Sequence, residues 1–156
     1  MTKRADFNAE EWATVVDGPV YAALRVIAAS HGGRLRESLA MGRAYQDART
    51  NHGESELLDE IVKSPPAIDA DEVRHAQGNI AEVSAQRLRE ATGIVGSKAT
   101  PPEVDSYKTF VMTVAQAVAS AHKEGSFLGI GGKQITDAEN QALDEISAAL
   151  GPPPAV

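Results

Sequence analysis

The sequence predicts an all-α protein of about seven helices, arranged in one bundle-like domain. Only 4% of its 156 residues are aromatic although 42% are hydrophobic, so the core must consist mainly of Ala, Val, Leu and Ile. Apolar residues recur at three- and four-residue intervals, the period of a helix with one buried face. Segment 127–130 is the only candidate for a strand, and its glycine content argues against one.

The first half of the chain is predicted to hold four helices. Asn8 and Glu11 have the spacing of a capping box and open a short helix that reaches about Val16. Asp17-Gly18-Pro19 is expected to end that helix and start a second one, because proline is tolerated in a first helical turn. The second, third and fourth helices are then expected to end at residues 32–33, 51–53 and 65–66.

Three more helices are predicted in the second half. The longest periodic stretch, residues 70–97, opens at Asp69 and Glu72, and Gly78-Asn79 interrupts it, which indicates a kink or two abutting helices. The last two helices open on capping boxes formed by Thr100 with Glu103 and Thr136 with Glu139.

Composition excludes several classes of protein. A net charge of −7 argues against nucleic-acid binding, which draws its affinity from Lys and Arg. The absence of cysteine excludes disulfides, thiolate metal sites and cysteine nucleophiles. Because no apolar run approaches a signal peptide or a membrane span, we expect a cytoplasmic protein without membrane insertion. Residues 1–150 are expected to form the domain, and residues 151–156 a disordered, proline-rich tail.

Two similar stretches of the sequence, called here the internal echo, suggest that the chain arose by duplication. Residues 26–31 resemble residues 117–122 at a constant offset of 91, and each stretch ends on a histidine followed by a glycine-bearing loop. The next helix carries a glutamate near its start in both cases, Glu37 and Glu139. This pattern predicts two pseudo-symmetric helix–loop–helix halves.

With this architecture, the run Ile135-Thr136-Asp137-Ala138-Glu139 resembles the Ile-Ser-x-x-Glu motif of the tellurite-resistance TerB-like domains. The first half keeps Gly33, Leu35 and Glu37 in looser spacing, and the acidic Asp-Gly that precedes the family's motif is replaced by residues 123–125. The resemblance implies an all-helical, stress-associated bacterial module that is non-enzymatic and acts within a larger complex.

One set of side chains is a candidate cation site. The loop that joins the last two helices could bring together His122, Glu124, Asp137 and Glu139, and carboxylate oxygens are the ligands that Ca²⁺ prefers. The loop lacks the alternating ligands of an EF-hand. Asp137 and Glu139 also have a structural explanation, because acids in a first turn favour the helix dipole and Glu139 has the capping-box position.

The glycine-rich stretch 125–132 carries three apolar residues, Phe127, Leu128 and Ile130. It lacks the Lys-Ser/Thr ending of a phosphate-binding P-loop, since Lys133 is followed by Gln134. The three apolar residues either fold back as a plug in the core or form an exposed patch that docks a partner.

These observations favour a non-enzymatic module that acts by protein association, alongside weak divalent-cation binding. No catalytic residues are assigned, because the chain has no Gly-x-Ser-x-Gly elbow and no second copy of its single Glu-x-x-His motif. Two alternatives stay open. One is a metal-dependent helical enzyme or metal store that uses His31, His122 and nearby carboxylates. The other is a scaffold that self-associates through the helix at 70–97.

Overall fold

The computed structural model describes residues 1–29, 34–51, 55–64, 66, 71, 75, 78–121 and 135–151, with the side chains of all but residues 34–38 and 51. This part of the chain is helical and contains no strand, so the predicted all-α class is confirmed. A 3₁₀ turn at Arg4–Asp6 precedes α1 (Ala9–Ala29), α2 (Arg34–Asn51), α3 (Glu56–Lys63), α4 (Ile80–Lys98), α5 (Pro101–Ser120) and α6 (Asp137–Leu150).

The predicted break at Asp17-Gly18-Pro19 is wrong. Helix α1 runs through these residues without interruption and has Pro19 in its interior. The first two predicted helices are therefore one, and the described ranges hold six α-helices rather than about seven.

A long-range hydrogen bond explains why Pro19 does not end the helix. Proline has no N–H, so it cannot donate to the carbonyl four residues before it, which is that of Val15. The Tyr107 hydroxyl of α5 donates to the Val15 carbonyl at 2.8 Å instead. Burial raises the pKa of Tyr107 far above its ordinary value, and Tyr45 and Asp17 raise it further, so this phenol keeps its proton. Tyr107 thus supplies the donor that Pro19 removes.

Gly18 makes room for that hydroxyl. A Cβ added at Gly18 would overlap Tyr107 Oη and would lie 3.4 Å from the Cβ of Ala91 on α4. The Gly-Pro pair therefore marks a place where α5 and α4 come close to α1, rather than a helix end.

The capping predictions are confirmed wherever the structure describes them. Asn8 and Glu11 exchange backbone-to-side-chain hydrogen bonds of 2.9 and 2.8 Å at the start of α1. The capping boxes of Thr100 with Glu103 and of Thr136 with Glu139 open α5 and α6. The predicted pair Asp69 and Glu72 lies outside the described residues.

The predicted interruption at Gly78-Asn79 is also confirmed, because α4 begins at Ile80 with Asn79 as its N-cap residue. The stretch 70–97 is therefore not one continuous helix. Between residues 67 and 77 the structure describes only Asp71 and His75, both helical.

Helix α1 lies at the centre of the packing, with its most extensive contacts to α4 and α5 and further contacts to α6. Helix α2 packs on α5, and the short α3 packs mainly on α2. The core combines aliphatic residues of every helix with a few aromatic ones, including the predicted core residues Trp12, Tyr21, Leu57, Leu58, Ile61, Tyr107, Phe110, Val111, Val114, Val118, Ile146 and Leu150. None of the helices in the described ranges is long and apolar enough to cross a membrane.

The first residues of the chain are anchored on the junction between α4 and α5. The carboxylate of Glu103 accepts hydrogen bonds from the backbone N–H and hydroxyl of Thr2, at 2.7 and 2.8 Å, and from the same two groups of Thr100, at 2.9 Å each. Burial opposes ionisation of Glu103, but these four donors together lower its pKa to about 2. One carboxylate thus caps α5 and holds the N-terminal segment.

We expect Tyr107→Phe to lower the free energy of unfolding by about 1–3 kcal/mol, because the buried Val15 carbonyl would lose its donor. Urea denaturation measures this. Pro19→Ala restores a backbone N–H four residues after Val15, so Tyr107→Phe should cost less in that background. An equal cost in both backgrounds would show that the hydroxyl does not compensate for the proline.

Gly18→Ala should destabilise the protein by about 1–3 kcal/mol, because the added methyl displaces the Tyr107 hydroxyl. Gly93→Ala on the exposed side of α4 is the matched control, since nothing lies within 4 Å of its added Cβ. That control should stabilise the protein by about 0.5–1 kcal/mol through lower chain entropy in the unfolded state. Thermal melts of the two variants should therefore shift in opposite directions.

The lowered pKa of Glu103 predicts acid sensitivity. The carboxylate's contribution is complete above the unfolded pKa of about 4.3 and is lost as the pH falls through the folded pKa of about 2. Glu103→Gln should cost about 1.5–3 kcal/mol at pH 7 and flatten the dependence of stability on pH in this window. Denaturation series at several pH values measure both effects, and an unchanged slope would contradict the assignment.

Candidate functional site

A groove of about 790 Å³ lies between α2 and α5. Helix α2 contributes one wall and α5 the other, and the buried Leu58 of α3 also lines the groove. The described lining residues are Leu39, Ala40, Arg43, Ala44, Asp47, Ala48, Leu58, Asp105, Ser106, Thr109, Phe110, Thr113, Ala117, Ser120 and Ala121.

Small side chains on both walls account for the groove. Ala40, Ala44 and Ala48 lie four residues apart, so they share one face of α2. At the end of α5, Ala117 and the C-cap residue Ala121 have the same spacing. Because alanine ends at Cβ, neither wall reaches across the space between the two helices, and the groove stays open above the core.

Two contacts beside the groove hold its walls in place. The ring of Tyr45 on α2 meets Phe110 of α5 edge-on, with centroids 5.2 Å apart and planes at 81°. Burial raises the pKa of Tyr45, and the Asp17 carboxylate raises it further, so this phenol is neutral. The Arg49 guanidinium donates two hydrogen bonds, of 3.2 and 3.1 Å, to the Val62 carbonyl near the end of α3. Helix α2 is thereby joined to both of its neighbours.

Leu39 is the most unusual residue of the groove. It is 57% exposed, and within the described residues Met1 is the other large hydrophobic side chain with high exposure. The other large apolar side chains of α2 that the structure describes are at least partly buried. Leu39 lies at the edge of an apolar groove, so its exposed side chain enlarges the apolar surface that water contacts there. Contiguous surfaces of this kind commonly mark binding sites.

Charges are few around the groove and lie at its rim. Arg43 and Asp47 project from α2, and Asp105 from α5. From Thr109 onward, the exposed residues of α5 are uncharged: Thr109, Thr113, Gln116 and Ser120. Lysine and glutamate are depleted at the centres of protein interfaces, where Arg and aromatic residues are preferred. These four residues, the exposed row of α5, therefore share one property with interfaces, which is that they carry no charge.

A second cavity, of about 350 Å³, lies on the other side of this row, between α5 and the end of α6. Asp105, Thr109 and Thr113 line both cavities. Helix α5 thus presents a narrow exposed ridge between a large groove and a small one, while its opposite face belongs to the core.

The described lining of the large groove is mostly apolar and holds a few polar groups. Its described lining has hydroxyls, two carboxylates and one guanidinium but no histidine to act as a base beside a hydroxyl. Throughout the part of the chain that the structure describes, no three His, Asp or Glu side chains form a group that could hold a metal ion. The arrangement offers an apolar surface with polar edges.

Of the predicted cation ligands, the structure describes Asp137 and Glu139. Asp137 is the exposed first residue of α6. Glu139 is 1% exposed, and its carboxylate accepts a hydrogen bond of 2.9 Å from the Thr136 N–H while its own N–H donates to the Thr136 hydroxyl at 3.2 Å. The capping explanation of Glu139 is therefore confirmed. His122 and Glu124 lie outside the described residues, as do the predicted partner-binding residues Phe127, Leu128 and Ile130.

The groove was not predicted from the sequence, although traces of it are present there. The alanines at positions 40, 44 and 48 give α2 a small-residue face, and the same helix has few large apolar residues. On α5 the uncharged row from Thr109 to Ser120 stands out in a chain of which 24% is charged. Either signal alone is common in helices, and only their juxtaposition defines the site.

Comparisons with known proteins identify no relative of this chain. Neither a protein-family model, nor a curated protein, nor a solved structure matches this chain.

Proposed function

We propose that this protein is a non-enzymatic helical module that works by protein association, and that the groove between α2 and α5 is its contact surface. The observation that carries the proposal is the groove itself, about 790 Å³ of apolar-walled space with Leu39 57% exposed at its edge.

The side chains around the groove also lower the cost of covering it with a partner. Short residues such as Ala, Thr and Ser lose little rotamer entropy when a partner covers them. The exposed row of α5 consists of such residues together with Gln116, and it carries no charge that would have to be desolvated. Association therefore costs less here than on the charged faces of the other helices.

The sequence resemblance supplies the biological part of the proposal. It suggests that the protein is a cytoplasmic, stress-associated bacterial module of the TerB-like kind, built from two related halves. Its support is the match at residues 135–139 and the internal echo. In that echo, residues 26–29 form the last turn of α1, and residues 117–120 form the last turn of α5. Both repeated stretches are thus helical over the residues that the structure describes.

Weak cation binding, with Ca²⁺ as the candidate ion, stays a prediction for His122, Glu124, Asp137 and Glu139. The carboxylate of Glu139 already caps α6, so a cation there would compete with the Thr136 N–H. The metal-enzyme alternative rests on His31 and His122, both outside the described residues.

The scaffold alternative is less favoured by the packing. Leu88, Ala91 and Val95 form the apolar face of α4, and all three are fully buried inside the protein's own core. That face is therefore not available to pair with a second copy of the helix.

A photo-reactive phenylalanine analogue placed at position 39 tests the proposal in cells. We expect a discrete cross-linked adduct whose partner also binds the purified protein. The same analogue at Arg89, an exposed position on α4 outside the groove, is the matched control and should give none. Adding Thr113→Arg, which fills the groove, should remove the adduct at position 39.

Equal adducts at positions 39 and 89, or none at position 39, would contradict the proposal. An adduct with the mass of two copies of this chain would instead support self-association.

A further inference from the structure

We infer that the partner recognised by the groove is a basic amphipathic α-helix of another protein. This inference rests on the proposed function and specifies the chemistry of the partner. Three properties of the groove carry it: its length, the shape of its walls and the charge of its rim.

The longer wall of the groove, that of α5, suits a helix of four to five turns. On α5 the lining residues run from Asp105 to Ala121. At a rise of about 1.5 Å per residue, these sixteen steps span about 24 Å. A partner helix lying along this wall would place residues at i, i+3 or i+4, and i+7 over it, which is the usual pattern of a helix bound in a groove.

The walls suit large apolar side chains. Ala40, Ala44 and Ala48 on one side face a wall that contains Ala117 and Ala121 on the other. Holes lined by alanine are filled by long aliphatic side chains such as leucine, in the manner of knobs and holes. Phe110 and Leu58 provide a buried apolar base for those side chains.

The rim suits positive charge. One carboxylate comes from each wall, Asp47 from α2 and Asp105 from α5, and Arg43 is the one cation among the described lining residues. The whole chain carries a net charge of −7, which attracts basic partners over long range and repels acidic ones. A second copy of the chain would bring the same negative rim and the same net charge, so charge disfavours it as the occupant.

The inference is tested on the purified full chain with three designed peptides of about 18 residues, long enough to span the groove. The first has leucines along one helical face and lysines elsewhere, and the second has glutamate in place of each lysine. The third has the composition of the first with the leucines scattered, so it measures attraction by charge alone. Isothermal titration calorimetry at low and moderate salt gives each Kd.

We expect the amphipathic lysine peptide to bind about ten-fold more tightly than either of the others, with an affinity that falls as salt rises. Leu39→Ser, which removes the apolar side chain without adding charge, should weaken it at the groove edge. Neutralising both rim carboxylates, by Asp47→Asn with Asp105→Asn, should weaken it about five-fold. Asp144→Asn, an exposed change on α6 outside the groove, is the matched control and should have little effect.

The possible outcomes separate this inference from the proposed function. If the lysine and glutamate peptides bind equally and Leu39→Ser weakens both, the basic partner is overturned and the groove remains an association site. If the scattered lysine peptide binds as well as the amphipathic one, the attraction is non-specific and the inference fails. If no peptide binds, both the inference and the helix-binding role of the groove are overturned.

Discussion

The hydrogen bond from the Tyr107 hydroxyl to the Val15 carbonyl is the constraint on which the rest of the architecture depends. An interior proline removes a helical hydrogen bond and ordinarily breaks or kinks a helix at a cost of about 3 kcal/mol. Here the lost donor is replaced from α5, and Gly18 leaves the space through which the hydroxyl reaches the α1 backbone. Helix α1 can therefore continue for 21 residues and provide one surface on which α4, α5 and α6 pack.

This contact also explains which features of the fold could be predicted from the sequence. The capping boxes at Asn8, Thr100 and Thr136 were predictable because each joins residues only three positions apart. The continuity of α1 was not, because the group that satisfies the Val15 carbonyl is 92 positions away in sequence. Local sequence rules predict that Gly-Pro ends a helix. Here the helix continues because a residue distant in sequence, Tyr107, supplies the missing donor.

The candidate site was hidden for a similar reason. Its walls come from α2 and α5, which are separated in sequence by α3 and α4. Alanines spaced by four residues show that a helix has a narrow face, but not whether another helix fills the space above it. Sequence reasoning instead favoured polar and glycine-rich residues near the start of α6. One of those residues, Glu139, is a buried cap whose carboxylate accepts a hydrogen bond from the Thr136 N–H, so an acidic residue near the start of a helix has the spacing of a capping residue as well as that of a ligand.

The two faces of helix α5 have different surroundings, one in the core and the other in solvent. Tyr107, Val111, Val114 and Val118 are fully buried and hold the core together, whereas the row from Thr109 to Ser120 contacts solvent between two cavities. Substitutions along an exposed row usually change stability by less than about 0.5 kcal/mol. The residues of this surface can therefore be replaced while the fold persists, so one helix tolerates change on its outer face without weakening the core that its inner face builds.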